Sequence, residues 1–481
     1  MIQPINTPST LSPSPAQLVQ LSGGEQKQEH REYRSDDFWR DIPAWNDISE
    51  ADFGNHLWQS KNAVTSLKKV KEVLGDRASA DFFEDVEAGL RGAPMNIRIT
   101  PYVFALIDWD NPVDDPLRKQ FLPLGSQQLP DHPFYLADSL AEDTDSPVPM
   151  ITHRYPDKVL FLPLTTCPVY CAYCTRSRII GGSTETVEKD TYGANKAKWE
   201  EAFEYLRNSP QVEDVVISGG DAFNMTATHL GHIADSLLAI PHIRRMRVAT
   251  KGIAILPQKI LTDDKWMDAF LGFHKRAHEM GKQVYIHTHF SNPNEITKWS
   301  KLAMERLYSE HVIVRNQAVL QRGVNDDIDI LLKLTKQLSY MNLQPYYVYQ
   351  HDMVPGCENL RTPLGQGVEL EKQLRGSTAG FHVPTFVCDA PGGGGKRHIA
   401  SSEYYDAETG VSVWRAPRVK PGQLFLYFDP LHSLSPEIQK RWSVQAEREA
   451  MVRDAIAHAE PNLDASQAKK IEDLLQIAVH A

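Results

Sequence analysis

Three cysteines within eight residues, Cys167-Pro-Val-Tyr-Cys171-Ala-Tyr-Cys174, are the clearest chemical feature of this chain. Thiolates are natural ligands of iron–sulfur clusters. Three of them leave one iron of a [4Fe–4S] cube open to a small molecule. A zinc ion completed by His289 or another fourth ligand is one alternative, and three buried structural cysteines are another. The two remaining cysteines, Cys357 and Cys388, stand alone. A disulfide-stapled secreted chain of this length would not distribute its thiols in this way.

A second motif is Asp389-Ala-Pro-Gly-Gly-Gly-Gly-Lys396. It looks like a phosphate loop, but Arg397 stands where a P-loop needs Ser or Thr, so a nucleoside-triphosphate site is disfavoured. A flexible glycine run that delivers one lysine suits a Schiff-base lysine better. Ser218-Gly219-Gly220-Asp221 marks a turn, where glycines permit close backbone approach.

These residues need a frame. Apolar runs at Val159–Leu164, Val215–Ile217, Met246–Thr250, Gln283–His287, Val312–Gln317, Pro345–Tyr349 and Pro384–Cys388 read as strands. Between them, amphipathic segments at Lys196–Asn208, Thr228–Ala239, Asp264–Met280, Asn294–Ser309 and Asp326–Tyr340 read as helices. The alternation implies parallel βαβ units and an α/β fold, a partial or full (β/α) barrel. The chemical residues then gather where strands end: the cysteines after the first, Gly219 after the second, His287 and His289 at the fourth, Gln317 at the fifth, Asp352 after the sixth and Asp389 at the seventh. Catalytic groups of such barrels collect there.

Around this core (151–375), residues 1–35 read as a disordered Pro/Ser/Gln-rich extension. Residues 36–150 read as a helical region, including Asn62–Leu74 and Asp81–Leu90, followed by an extended connection over 110–150. Residues 376–481 read as an α+β extension carrying the lysine loop, strands Val411–Trp414 and Leu424–Phe428, and terminal helices that end in Ala465–Val479. The net charge of -11 argues against non-specific nucleic-acid binding. No apolar run is long enough for a transmembrane helix, and no secretion signal is expected, so a cytoplasmic setting is the expectation.

The cysteine spacing resembles the signature of radical S-adenosylmethionine enzymes. The segment His153-Arg-Tyr-Pro-Asp-Lys-Val-Leu through Cys174-Thr-Arg resembles the lysine 2,3-aminomutase family, over about Ile99 to Lys396. The resemblance implies a [4Fe–4S] cluster on Cys167, Cys171 and Cys174, with S-adenosylmethionine on the open iron. It implies Gly219, Gly220 and Asp221 near the methionine amino group, Gln317 near the adenosyl group, and His289 at another cofactor-binding position of the active site. It implies pyridoxal 5'-phosphate on Lys396, with Tyr155 beside the ring and Arg154 and Lys158 on the phosphate. Lys158 departs from the family's usual arginine and would act as a point charge rather than a fork.

For the substrate, the resemblance places Arg176 on the carboxylate and Asp352 with Asp389 on a distal ammonium. Two carboxylates facing one site call for a cation between them. The implied reaction moves the α-amino group of L-lysine to the β-carbon. Arginine or another cationic amino acid is the alternative substrate, and a non-catalytic zinc or cluster scaffold is the reading from another class. The resemblance also implies an electron donor such as flavodoxin or ferredoxin, and a homo-oligomer. Asp327 stands where some members carry a zinc-binding cysteine, so no structural zinc is expected.

Overall fold

The computed structural model describes residues 29–189 and 191–461. Most of the extension expected before residue 36 lies outside the described residues, as does the helix expected over Ala465–Val479. Within the described part, Glu29–Arg31 form a 3-10 turn and Arg34 bridges to Thr297.

The core is a nine-stranded sheet whose spatial order follows the chain. Its strands are β1 (Ile151–Tyr155), β2 (Lys158–Phe161), β3 (Asp214–Ile217), β4 (Arg245–Ala249), β5 (Gln283–Thr288), β6 (Ile313–Val319), β7 (Gln344–Tyr349), β8 (Thr385–Ala390) and β9 (Gly395–His398). β2 to β8 are all parallel. β1 and β9 pair antiparallel on the two edges. The seven expected strands are therefore β2 to β8.

Two-residue periodicity decides which face each side chain takes. On β4, Met246 and Val248 are fully buried beneath the helices, while Arg247 and Ala249 line an interior cavity. On β5, Val284 and Ile286 are buried among apolar neighbours, while His287 lines the cavity. Polar side chains on the inner face keep the barrel from filling with hydrocarbon.

The helices between the strands start at side-chain caps, which satisfy backbone N–H groups that have no helical partner. Asn195, Thr226, Asp263, Thr297 and Asp327 each accept from a backbone N–H at the start of their helix. Asp327 thus has a local task, capping Ile328–Tyr340.

Three expectations need correction. The stretch 110–150 is not simply extended, because Pro116–Phe121 is a helix capped by Asp115. Ile151–Tyr155 is a strand that a reading of apolar runs passes over. The glycine run ends not in a flexible loop but in β9, where Lys396 pairs directly opposite Asp389. The edges β1 and β9 are joined by a side chain: the Lys396 backbone N–H donates to the Tyr155 hydroxyl at 2.8 Å.

A second sheet, β10 (Tyr404–Asp406), β11 (Val411–Arg415) and β12 (Leu424–Phe428), is antiparallel. With helices Pro436–Ser443 and Gln445–Ala459 it encloses a separate apolar cluster around Trp414, Tyr427 and Trp442.

Candidate active site

The interior of the barrel is a cavity of about 380 Å³, within the range of small-ligand sites. Its wall carries Cys167, Cys171 and Cys174, then Gly219, Gly220 and Asp221, then His289, Gln317, Arg176, Asp352 and Asp389, and finally Arg154, Tyr155, Lys158 and Lys396. Residues up to 242 positions apart in sequence thus share one enclosure.

The cysteine loop is docked on the N-terminal region. Tyr170 N–H donates to the Arg98 carbonyl and Ala172 N–H to that of Gln120, both at 2.8 Å. Burial pushes all three thiols up, Cys171 to about 12. Alone they would stay protonated, so thiolates there require a positive metal centre. Among the described residues, no three His, Cys, Asp or Glu side chains are grouped to hold a single metal ion. A zinc ion bonds sulfur at about 2.3 Å and draws its ligands onto one point. A cube gives each thiolate its own iron, so its ligands surround it without converging.

The Gly-Gly-Asp turn clamps this loop. Gly220 N–H donates to the Leu164 carbonyl at 2.7 Å and Asp221 N–H to that of Thr166 at 2.9 Å. A Cβ on Gly219 would lie 2.5 Å from Leu164 O, and one on Gly220 would lie 2.2 Å from Thr166 O. Gly219 also has φ +88°. The close approach that demands glycine is therefore made by the backbone leading to Cys167. The Asp221 carboxylate accepts from Thr250 Oγ1 and from the Phe223 and Lys251 N–H groups, which ties the turn to the end of β4.

His289 faces the same loop. Its Nε2 lies 3.0 Å from both the Tyr173 hydroxyl and Ser291 Oγ, and burial holds the ring far below the usual imidazole range. Gln317 Oε1 accepts a hydrogen bond from the Tyr349 hydroxyl at 3.0 Å, and its Nε2 lies 2.9 Å from His287 Nδ1.

Two acids and a lysine form the next part of the wall. Thr175, next to Cys174, donates to Asp352 Oδ2 at 2.6 Å. Burial and the neighbouring Asp389 raise the Asp352 carboxyl to about 7. Lys396 Nζ donates to Asp389 Oδ2 at 3.1 Å. Burial works against its charge, but Asp389 outweighs it and holds the ammonium above its ordinary range. Asp352 and Asp389 each keep one buried oxygen with no hydrogen-bond partner. Unpartnered buried carboxylate oxygens are costly unless a ligand arrives to meet them.

Glu142 and Asp145, two acids that motif reading does not single out, sit on a strap before β1. Glu142 grips Arg176 bidentately, Oε2 to Nε at 2.9 Å and Oε1 to Nη2 at 2.6 Å. Asp145 accepts from Arg154 Nε at 2.8 Å and pairs with Lys420 at 3.0 Å. Arg154 also donates to the Leu140 carbonyl and reaches Asp389 at 3.8 Å. The only sequence signal for the strap is its acidity, Glu-Asp-Thr-Asp.

Residues 371–407, which hold Asp389 and Lys396, match the family model described as Lysine-2,3-aminomutase. An L-lysine 2,3-aminomutase of Clostridium subterminale is 39% identical over 74% of this chain and 80% of its own length. One from Bacillus subtilis is 38% identical over 76% and 72%. A glutamate 2,3-aminomutase of Clostridioides difficile is 33% identical over 72% and 77%.

Proposed function

The chain belongs to the lysine 2,3-aminomutase family, and on that premise we propose that it moves the α-amino group of L-lysine to the β-carbon, forming β-lysine. It is an isomerase of a family that implies an iron–sulfur cluster and S-adenosylmethionine. Pyridoxal phosphate on Lys396 is the further cofactor of the proposal. When bound, these groups supply a radical able to take hydrogen from an unactivated carbon, and a conjugated carrier for the migrating nitrogen.

The observation that carries the substrate reading is the pair of buried oxygens on Asp352 and Asp389 that accept no hydrogen bond. They suit a distal ammonium, and would repel the side-chain carboxylate of glutamate. Arg176, fixed by Glu142, is the candidate clamp for the substrate carboxylate. Lys396 acts first as the cation of Asp389. Its Nζ must lose a proton before it can attack a carbonyl, and once it does so Asp389 keeps only Arg154, 3.8 Å away. The two aspartates are then free to take the ammonium of lysine.

The three thiols hold the cluster, and Gly219, Gly220, Asp221 and His289 keep their loop in place and face the S-adenosylmethionine. Gln317 orients the wall beside the adenosyl group, and Tyr155 supports the pyridine ring. The barrel wall excludes water from a reactive radical. A one-electron donor of flavodoxin or ferredoxin type, assembly as a homo-oligomer and a cytoplasmic setting complete the proposal. Among the described residues no helix is long and apolar enough to cross a membrane.

The test is substrate selection. The reconstituted, reduced protein is given lysine, arginine, ornithine or glutamate under anaerobic conditions, and products are separated by chromatography. β-Lysine from lysine alone supports the assignment, whereas a β-amino acid from arginine or glutamate in its place contradicts it.

A further inference from the structure

The second sheet reaches toward the active site at the turn between β11 and β12. There the Val419 and Lys420 N–H groups both donate to the Ala416 carbonyl, at 3.0 and 2.9 Å. The turn presents Lys420, whose ammonium lies 3.0 Å from Asp145 Oδ1 and 3.4 Å from the Gly392 carbonyl. Asp145 belongs to the strap before β1, and Gly392 to the glycine run before β9. One ammonium thus joins three segments that are far apart in sequence.

The glycine run is shaped around this contact. A Cβ on Gly393, which has φ +89°, would collide with the Lys420 ammonium and lie 3.0 Å from Asp145 Oδ2. A Cβ on Gly394 would lie 2.8 Å from Phe425 Cγ, on β12. The run is therefore pressed against the second sheet. Gly392 N–H also donates to the Ser139 carbonyl of the strap at 2.8 Å. The Asp145 and Lys420 side chains are 9% and 20% exposed, so water and salt screen this pair less than an exposed one. Asp145 accepts from Arg154 on its other oxygen, so the acid keeps a countercharge if Lys420 is replaced.

We infer that Lys420 is a positioning residue that latches the strap to the glycine run, and so holds Arg176 and Lys396 in place across one cavity. This rests on the roles proposed above for those two residues. Lys420 acts on each through the chain it fastens. Glu142, which grips Arg176, stands three residues before Asp145. Lys396 stands three residues after Gly393, in the strand that the run enters. Without the ammonium the strap keeps Arg154, Arg176 and Arg178, and the run keeps Phe425 and the bond to Ser139. The two are then free to part where Lys420 had joined them.

The test compares wild type, Lys420→Met and Lys420→Arg as full chains. Hydrogen exchange, read by mass spectrometry on the protein before any cofactor is added, reports the latch itself. In Lys420→Met, peptides covering 138–146 and 390–396 should exchange about fivefold faster, with β4 to β6 unchanged. Lys420→Arg keeps the charge and should stay near wild type. On the reconstituted enzyme, Lys420→Met should raise the KM for lysine about fivefold while kcat stays within about threefold, and Lys420→Arg should recover most of that loss. Unchanged exchange in both segments, or faster exchange spread evenly over the barrel, would overturn the latch. Faster exchange in the two segments with an unchanged KM would overturn the positioning role. If the wild type forms no β-amino acid from lysine, the functional reading falls, and the exchange comparison still decides the latch.

Discussion

Lys396 Nζ lies 3.1 Å from Asp389 Oδ2, across a register pair of the β8–β9 hairpin. The same carboxylate is a candidate partner for the substrate ammonium. Cofactor loading and substrate binding are therefore linked: the lysine must give up its charge and its partner before lysine, the substrate, can take that place.

That link makes Lys396→Arg informative. It keeps a cation beside Asp389 but cannot condense with an aldehyde, so folding should be near wild type while turnover falls at least about a thousandfold. Thermal melting and product formation check both halves. Residual turnover within tenfold of wild type would remove Lys396 from the chemistry.

The acid pair predicts a pH dependence. Asp352 is raised to about 7, and only its ionised form attracts an ammonium. At pH 6 most of it is protonated and at pH 8 most is ionised. Lysine affinity should therefore rise as pH climbs through about 7, by up to about tenfold per unit below it. Asp352→Asn should weaken binding and flatten the profile. Calorimetric titration at several pH values in buffers of different ionisation heat would also detect the proton released when lysine binds.

Glu142 and Arg176 form the second pair to test. Glu142 is buried, so Glu142→Gln leaves a guanidinium without its countercharge. Loss of one partner of a buried pair costs about 3–5 kcal/mol. The partial exposure of Arg176 (19%) should bring the loss toward the lower end. The KM for lysine should rise about tenfold, with a smaller change in kcat, because the clamp is no longer held in place. Unchanged melting and an unchanged KM would show that the contact does neither job.

Gly220→Ala tests the clamp on the cysteine loop. The new methyl would lie 2.2 Å from Thr166 O, and backbone rather than side chain must yield. The variant should keep its circular dichroism and lose at least half of its cluster iron after reconstitution. Full iron content in a folded Gly220→Ala would show that the turn does not support the cluster.

The parallel strands are legible because they are short apolar runs bounded by turns, and β2 to β8 fall within about three residues of where such runs place them. β1 and β9 are not, because Ile-Thr-His-Arg-Tyr and Gly-Lys-Arg-His carry no apolar alternation. They exist because each pairs with a buried neighbour. The same limit applies to the site. Residue types that announce chemistry, thiols and a glycine-flanked lysine, stand out one at a time. The grip of Glu142 on Arg176 spans 34 positions, and the orientation of Gln317 toward His287 spans 30. Neither has a local pattern; both are products of the barrel's closure. Asp221 and Gly220 show the converse, since they are visible as a motif while their task, holding a neighbouring loop, is visible only in space.

The most direct measurement is an anaerobic assay on reduced protein carrying a reconstituted cluster, supplied with S-adenosylmethionine, pyridoxal phosphate and L-lysine labelled with nitrogen-15 at the α-amino group. The account predicts β-lysine with the label on the β-carbon, abolished in Cys171→Ala and in Lys396→Ala. Protein shown to hold its cluster and both cofactors that leaves the label on the α-carbon would contradict it.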